Sequence, residues 1–218
     1  DYGDNAGLRQ TRSTLRSRRR VWTKLGGSKT NIHGETMDQR IKTQPQRNEN
    51  LAKLHARLKG GHVVRYHTRP ELGDGQNVAA HTWRAIVILQ TLYPDASKNC
   101  ILHMLYHDVA EAEVGDVPAT TKWNYPKINE MMVKAEKAYE LSIGVGDIVH
   151  QVTDEDKQMC DIADKLELVL HCYRLMQQGN GMAEEVFLRG VDYLNKKYKK
   201  ELIFQPASEI IKTLCDDI

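Results

Sequence analysis

Apolar residues recur at helical spacing along most of the chain. Leu51, Leu54 and Leu58 fall at positions i, i+3 and i+7, which lie on one face of an α-helix. Gly60 and Gly61 follow and end this pattern, as glycine commonly does at helix C-termini. No stretch stands out in which apolar and polar residues alternate as in a half-buried strand. The pattern therefore predicts an all-α protein, folded as a compact helical bundle.

Turn-forming residues separate the predicted helices. Pro70, Gly73 and Gly75 indicate a loop between Arg65 and Asn77. Pro126 stands where a helix can begin, because the first helical turn does not need the N–H that proline lacks. The boundaries place helices at about residues 47–60, 77–92, 96–113, 126–143, 154–178, 182–200 and 207–216.

The N-terminal segment differs from the rest of the chain. Residues 1–50 carry 11 basic and 5 acidic residues, a net charge of +6, whereas the remaining residues carry 20 and 24, a net charge of −4. Few apolar residues accompany the arginines between Arg9 and Arg20, so this segment cannot bury enough surface to offset its ordering entropy. We expect a disordered or non-native leader over residues 1–40 and one folded domain over residues 41–218. A basic arm that binds nucleic acid is the alternative.

Composition excludes several classes of protein. Apolar residues make up 40% and charged residues 28% of the chain. The longest apolar run, from Ala85 to Leu89, is far shorter than the ~20 residues of a membrane-spanning helix. Neither a secretory signal nor a C-x-x-C pair is present, so a cytoplasmic location and no membrane partner are expected. The mildly acidic body also disfavours nucleic acid as a partner.

Polar residues interrupt three of the apolar-patterned helices. They are His81, the pair His107 and Asp108, and Asp164. A lone histidine on a helix is most often hydrogen-bonded and structural, but burying several charged groups without partners costs several kcal/mol, so a bound metal ion is a natural partner. Two imidazoles and two carboxylates suit Mn, Fe, Co, Ni or Zn rather than Ca. Glu111 lies three and four residues after the adjacent pair, on the same side of the predicted helix.

This ordered set, H…HD…D, resembles the signature of the HD-domain metal-dependent phosphohydrolases. The segment YHDVAEAEVGDVP, from Tyr106 to Pro118, is similar to bacterial HD-domain 5'-deoxynucleotidases and to phage dATP triphosphohydrolases. The segment CDIADKLE, from Cys160 to Glu167, resembles their later ligand helix, and Arg65–Tyr66 resembles an Arg–Trp pair that precedes the first ligand. The resemblance covers about residues 50–200. It implies an HD-domain helical bundle that hydrolyses deoxynucleotides, either dNMP to deoxynucleoside and phosphate or dNTP to deoxynucleoside and triphosphate.

The resemblance also implies roles for individual residues. Glu111 acts as general base or proton shuttle, and Asp116 orients the attacking water or a histidine. Arg65 and Lys122 contact phosphate, and Tyr66 packs against the sugar; ordinary surface charge and core packing are the alternatives for these three. The divalent ion, with an additional Mg as an option, is held by His81, His107, Asp108 and Asp164.

The sequence also suggests two alternative functions and one assembly state. An HD phosphodiesterase that cuts cyclic nucleotides or RNA ends would need a more basic cleft than residues 51–218 provide. A non-enzymatic nucleic-acid-binding adaptor would use the arginines from Arg9 to Arg20. Apolar faces left over after one bundle is packed predict a homo-oligomer of unspecified size. Trp83, two residues after His81, is predicted to lie in the core or an interface.

Overall fold

Helices make up most of the described chain. The computed structural model describes residues 37–69, 72, 73 and 75–218, with side chains from residue 48 onward. The α-helices are α1 (Met37–Gly60), α2 (Val78–Leu92), α3 (Lys98–Tyr106), α4 (Glu111–Val114), α5 (Ala119–Asn124), α6 (Pro126–Ser142), α7 (Gly146–His150), α8 (Asp154–Gln177), α9 (Glu184–Tyr198) and α10 (Gln205–Asp216). Two 3₁₀ helices, Gly181–Ala183 and Leu202–Phe204, lie on either side of α9.

The predicted all-α class is confirmed. Within the described ranges there is no β-sheet, and the only β-type pairing is an isolated antiparallel bridge between Val64 and Asn77. The chain divides between Glu49 and Asn50 into two units, and the features below all belong to the second. The leader expected over residues 1–40 lies almost entirely outside the described residues. No helix in the described part of the chain is long and apolar enough to cross a membrane.

Side chains before the first turn fix where the longer helices begin. The Asn77 side chain accepts a hydrogen bond from the Ala80 N–H at 2.8 Å, which starts α2. Ser97 caps α3 in the same way through the Cys100 N–H at 3.0 Å. Thr153 and Asp156 form a reciprocal capping box at the start of α8. These caps set the register that brings polar side chains of α2 and α8 together.

Helix α8 lies at the centre of the second unit. It packs most extensively against α9 and α2, and also against α3. Its buried Ile162, Leu166 and Val169 belong to the largest apolar cluster, which also contains Phe187 and Leu194 of α9. Burial of side chains of this size contributes about 1.5–3 kcal/mol each, so this cluster accounts for much of the stability.

A second apolar cluster joins α2, α3 and α8. It consists of Ala85, Leu89, Cys100, Met104, Cys160 and Ala163. Cys100 and Cys160 are free thiols, with their Sγ atoms 3.5 Å apart. The cluster fixes α2, α3 and α8 against one another immediately beside the polar residues of the site.

The predicted third helix, 96–113, is wrong in one respect that matters for the site. Helix α3 ends at Tyr106, and residues 107–110 form turns before α4 begins at Glu111. The Val109 N–H donates to the Tyr106 carbonyl oxygen, and the Glu111 N–H donates to the Asp108 carbonyl oxygen. These three-residue hydrogen bonds replace the four-residue bonds of an α-helix. The turn fits the local contacts, since the His107 side chain bonds the Met104 carbonyl oxygen. The short helices α5 and α7 were not predicted.

The loop before α2 is closed on itself. The Arg65 N–H donates to the Gln76 carbonyl at 2.7 Å, and the Val78 N–H donates to the Val63 carbonyl at 2.9 Å. These bonds hold the two ends of the predicted loop together at the start of α2. Arg65 and Tyr66 are thereby brought next to the helix that carries His81.

Candidate metal centre

Three predicted ligands converge on one point between α2, the turn after α3, and α8. The ligand atoms of His81, His107 and Asp164 all lie within 4.8 Å of one another. His81 Nε2 is 3.0 Å from Asp164 Oδ1 and 3.4 Å from His107 Nε2. His107 Nε2 is 3.8 Å from the same carboxylate oxygen. Residues far apart in the chain thus present three donor atoms to one small volume.

Both imidazoles are oriented by a partner on their other ring nitrogen. Nδ1 of His81 lies 2.8 Å from Oε2 of Glu167, and Nδ1 of His107 lies 2.7 Å from the Met104 carbonyl oxygen. Because both partners only accept, we assign the proton to Nδ1 in each ring. The Nε2 atoms then face Asp164, where a metal ion can replace their protons. Bonds of this kind to the second ring nitrogen are typical of histidines that bind metals.

Asp108 joins the group from the turn that follows α3. Its Oδ2 lies 3.3 Å from His107 Nε2 and 3.6 Å from His81 Nε2. The same oxygen accepts a hydrogen bond from Arg65 Nη1. The fourth predicted ligand therefore lies with the other three, and it is paired with a guanidinium that was predicted to contact phosphate.

Asp164 uses its two oxygens differently. Oδ1 faces the imidazoles, while Oδ2 accepts from Lys165 Nζ at 2.6 Å. Lys165 was not singled out from the sequence, although it stands next to a predicted ligand. Because the Lys165 ammonium group bonds Oδ2, Oδ1 is the oxygen that faces the imidazoles.

Glu167 is the main residue that sequence reasoning missed. Its buried carboxylate bonds His81 and accepts a hydrogen bond from Gln76 Nε2 at 2.7 Å, and one of its oxygens lies 3.0 Å from Arg84 Nε. Burial alone would raise its pKa, but the bonds from His81 and Gln76 outweigh it, so the pKa is lowered. The available signal was its spacing, three residues and nearly one helical turn after Asp164.

The electrostatics of the ligand set favour separated charges. Burial would lower the pKa of His107 and raise the pKa of Asp108. Their mutual attraction is stronger, so the pKa of His107 is raised well above its usual value and that of Asp108 is lowered. In Asp164, burial is likewise outweighed by Lys165 and the two imidazoles, and the pKa is well below its usual range. Both carboxylates are therefore ionised at neutral pH.

Glu111, the predicted general base, has the opposite tendency. Burial, followed by the negative charge of Asp108, raises the pKa of Glu111 to about 8. One of its carboxylate oxygens is buried with no hydrogen-bond partner. A carboxyl group with a pKa near neutrality can accept and release protons under working conditions. Its position at the start of α4 follows from the turn at residues 107–110.

Asp116 and Tyr66 are joined to each other through the loop before α2. Asp116 Oδ2 accepts a hydrogen bond from the Tyr66 N–H at 2.7 Å. The predicted alternative was that Asp116 orients a histidine, but Glu167 orients His81 and the Met104 carbonyl oxygen orients His107. The Tyr66 ring stacks on the ring of His171, with centroids 5.7 Å apart. Its backbone has a φ of 60°, which is uncommon for a residue with a side chain. Tyr66 thus makes packing contacts, and its predicted contact with a sugar stays a prediction.

Lys122, on α5, has a different neighbour. Its Nζ lies 3.9 Å from Glu136 Oε1 on α6. At this distance the half-buried pair is weak, so Lys122 remains available to an incoming anion. Its predicted contact with phosphate also stays a prediction.

The donor set fits a divalent metal ion. The Nε2 atoms of two imidazoles and two ionised carboxylates point into one volume. The two negative charges need positive charge among them, which protons on the imidazoles supply in the metal-free protein and which a divalent ion can supply in their place. Mixed nitrogen and oxygen ligands suit Mn, Fe, Co, Ni or Zn. Fold and site together define an all-helical protein with a candidate metal centre built from two histidines and two aspartates.

Comparison with known families assigns this architecture. Residues 57–204 match the HD domain family. The chain therefore belongs to the HD domain family, whose members are in general metal-dependent phosphohydrolases. The match includes all four predicted ligands and Glu111. None of the curated proteins compared with the chain matches it.

Two solved structures share the fold. The PH0347 protein from Pyrococcus horikoshii is 17% identical, with a TM-score of 0.59, and the similarity covers 75% of this chain and 97% of that protein. A conserved hypothetical protein from Pyrococcus furiosus is 19% identical, with a TM-score of 0.60, and the similarity covers 76% of this chain and 99% of that protein. At this level of identity the likeness concerns the fold alone.

Proposed function

We propose that the protein is a metal-dependent phosphohydrolase that acts on deoxynucleotides and releases a deoxynucleoside. The observation that carries the proposal is the convergence of His81, His107, Asp108 and Asp164 beside Glu111. A bound divalent ion supplies Lewis acidity there, polarising a phosphoryl oxygen and lowering the pKa of water toward about 7. The identity of the ion is part of the proposal, with Mn, Co, Fe, Zn or Ni as candidates and Mg as an additional ion.

The chain's own residues have separate tasks in this reaction. Glu111 accepts the proton of the attacking water while a new P–O bond forms, and it passes this proton to the sugar oxygen as the ester P–O bond breaks. Arg65, fixed beside Asp108, offers guanidinium donors to the phosphate. Asp116 holds the Tyr66 backbone, and thereby the loop that carries Arg65. Lys122 is the second cation assigned to the phosphate.

The deoxynucleotide preference rests on the motif resemblance. The segment from Tyr106 to Pro118 supports it, and so does the Arg65–Tyr66 pair. An aromatic side chain next to the phosphate-binding arginine can close the space that a 2'-hydroxyl would need. Tyr66 is stacked against His171, so this role requires that the sugar reach the exposed part of the ring.

A nucleotide panel tests the proposal. Protein loaded with each candidate metal is incubated with deoxy- and ribonucleoside mono- and triphosphates, and the products are separated by chromatography. Release of phosphate from dNMP assigns a nucleotidase, whereas release of triphosphate from dNTP assigns a triphosphohydrolase. If metal-loaded protein released neither product from any nucleotide, the proposal would be wrong.

The competing adaptor function has its own experiment. Removal of residues 1–36, which lie outside the described residues, should leave turnover unchanged if the HD domain carries the activity. An adaptor that depends on Arg9–Arg20 would instead lose nucleic-acid binding. The predicted cytoplasmic location and homo-oligomeric state remain proposals, and sedimentation of the full chain addresses the second.

A further inference from the structure

A cleft of about 300 Å³ lies on the outer face of α2 and α8, behind the metal centre. Its walls include Trp83, Arg84 and Val87 from α2, and Leu170, His171 and Arg174 from α8. This volume is at the lower end of the range found for small-molecule sites. We propose that the cleft is a second ligand site, which binds a nucleoside phosphate.

The cleft is separated from the metal centre by Glu167 and His81. Glu167 Oε2 bonds Nδ1 of His81, whereas the Nε2 atom of that ring faces the predicted metal ligands. Glu167 itself is part of the cleft wall, and Oε1 lies 3.0 Å from Arg84 Nε. A ligand in the cleft is therefore on the opposite side of the imidazole from the site of hydrolysis.

Charge in the cleft favours an anion. The Glu167 carboxylate is already satisfied by His81 and Gln76, with Arg84 beside it. Arg174 is different: its described polar contact is with His171 Nδ1 at 3.2 Å, and no carboxylate among the described residues pairs with it. A guanidinium with unused donors at the edge of a cleft is suited to bind phosphate.

His171 helps to define the direction of the Arg174 contact. Its Nε2 lies 3.0 Å from the Leu72 carbonyl oxygen, so this nitrogen donates and Nδ1 accepts from Arg174. The ring is thus neutral in this arrangement and does not add a competing charge. Among the described residues, His171 bonds one guanidinium nitrogen of Arg174, which leaves the other donors for a ligand.

The apolar wall favours a ligand with a planar ring. The Trp83 side chain is 68% exposed, so of its two predicted positions, the core or an interface, the core is wrong. Val87 beside it is also exposed. An indole next to an arginine offers a stacking surface and a phosphate donor within one small cleft. A nucleoside phosphate has both of the matching groups.

Occupancy of the cleft would be felt at the metal centre. In one set of contacts, Glu167 bonds His81 directly. In the other, His171 stacks on Tyr66, and the preceding residue, Arg65, bonds Asp108. Two separate sets of contacts therefore connect the cleft wall to predicted metal ligands. The binding proposal itself does not depend on the proposed hydrolysis.

Fluorescence titration of metal-free full-length protein tests the proposal. ATP or CTP is added in the presence of a chelator, so that hydrolysis at the metal centre does not take place. Quenching is expected in the wild type and should be absent in Trp83→Phe, which keeps the other tryptophans. Arg174→Gln should raise the dissociation constant about tenfold, the effect of losing one strong ionic hydrogen bond.

Matched controls make the result decisive. Arg189→Gln removes an exposed arginine of α9 that pairs with Glu185, and it should leave the titration unchanged. Inorganic triphosphate should bind more weakly than either nucleotide, since it has no ring. Circular dichroism confirms that each variant is folded.

Several results would overturn the proposal. They are absence of quenching by both nucleotides, quenching that persists in Trp83→Phe, an unchanged dissociation constant in Arg174→Gln, or triphosphate binding as tight as that of ATP. A dimer that dissociates in Trp83→Ala without any nucleotide effect would assign this face to a second copy of the chain instead. If the protein hydrolysed no nucleotide in the panel, these binding measurements would be unaffected, so the two proposals fail separately.

Discussion

At the scale of single residues, the orientation of His81 depends on a residue outside the ligand set. His81 is completely buried, and its Nδ1 is held by Glu167 at 2.8 Å. Gln76 and Arg84 in turn hold the other oxygen of that carboxylate. A neutral imidazole without this partner could rotate or change tautomer, and Nε2 would no longer face Asp164 reliably.

Glu167→Gln should therefore weaken metal binding without removing a ligand. We expect the metal dissociation constant to rise about 10–100-fold, the usual effect of losing a partner that orients a histidine ligand. Isothermal titration with Mn, Co or Zn measures the change. Glu155→Gln, at an exposed position of the same helix, serves as control and should bind metal like the wild type. Equal affinities in both variants would mean that Glu167 only fills the interior.

Glu111→Gln tests the general base. The substitution keeps size and shape but cannot accept a proton, so kcat should fall about 10²–10⁴-fold. Since Glu111 is not needed as a ligand, metal content and KM should stay near the wild-type values. Steady-state kinetics and metal analysis of the same sample separate these effects. Glu113→Gln, exposed on the same short helix, should retain full turnover. Loss of bound metal in Glu111→Gln would make Glu111 a ligand.

The raised pKa of Glu111 has a consequence for stability in the metal-free protein. Its pKa is about 8 in the folded chain against an ordinary value of 4.5, so folding favours the protonated form. The stability of the wild type should accordingly fall as pH rises from about 5 to about 8, as the carboxyl becomes ionised near Asp108. His81 and His107 share this direction, because their folded pKa values are also raised.

Comparison with Glu111→Gln isolates the contribution of the one carboxyl group. At pH 5 the two proteins should have similar free energies of unfolding, and at pH 8 the variant should be more stable by roughly 1–3 kcal/mol, since each pKa unit corresponds to about 1.4 kcal/mol. Urea denaturation in chelator at both pH values measures the difference. A difference that did not change with pH would contradict the raised pKa.

At the scale of elements, the sequence predicts helix ends well where turn-forming or capping residues coincide with the end of the apolar spacing, and poorly where that spacing continues through a turn. The predicted helices 77–92, 126–143 and 154–178 agree with α2, α6 and α8 to within one residue at each end. The apolar spacing begins there at a capping residue in α2 and α8, and at Pro126 in α6. The helix predicted over 96–113 ends early, since periodicity continues through a turn that is held by local hydrogen bonds.

The four ligands could be predicted because their residue types and order are distinctive. Their partners could not. Glu and Lys are common on the solvent-facing side of helices, so Glu167 and Lys165 do not stand out in the sequence. Their roles depend on which side chains the packing of the helices places opposite them. Likewise, the pairing of Arg65 with Asp108 requires the closed loop before α2, which periodicity does not describe.

Gly190 permits the close approach of α9 to α8. A Cβ atom built at this position would lie 2.8 Å from Cγ2 of Val169, which is fully buried. Alanine is better than glycine within a helix by about 1 kcal/mol, but overpacking a core costs about 1–3 kcal/mol. Gly190→Ala should thus lower the free energy of unfolding by up to about 2 kcal/mol, as measured by urea denaturation.

A matched glycine and a double mutant check this explanation. Gly181→Ala has open space around the new methyl group and should not show the loss. In a double-mutant cycle, Val169→Ala should relieve the clash, so Gly190→Ala should cost less in that background than in the wild type. Equal costs in both backgrounds would show that contact with Val169 is not the cause.

At the scale of the whole molecule, the metal centre connects parts of the chain that are distant in sequence. His81 lies on α2, His107 and Asp108 lie in the turn after α3, and Asp164 lies on α8. The helices α2, α3 and α8 also share the apolar cluster that includes Ala85, Met104 and Ala163. Metal binding is therefore coupled to the packing of the helices around α8, and an ion that binds only the folded chain must stabilise it.

Metal removal should consequently lower the melting temperature of the full chain. At a free metal concentration of 100 times the dissociation constant, the linkage relation gives a stabilisation of about 2.7 kcal/mol. For a chain of this size this corresponds to a rise of about 5–10 °C, measurable by calorimetry.

Mn, Co, Ni or Zn should raise the melting temperature more than Ca, because the donors include two imidazole nitrogens. Asp164→Asn should abolish most of the shift, whereas Asp154→Asn, exposed at the start of the same helix, should preserve it. A shift of equal size with Ca, or one retained in Asp164→Asn, would place the bound ion elsewhere in the protein.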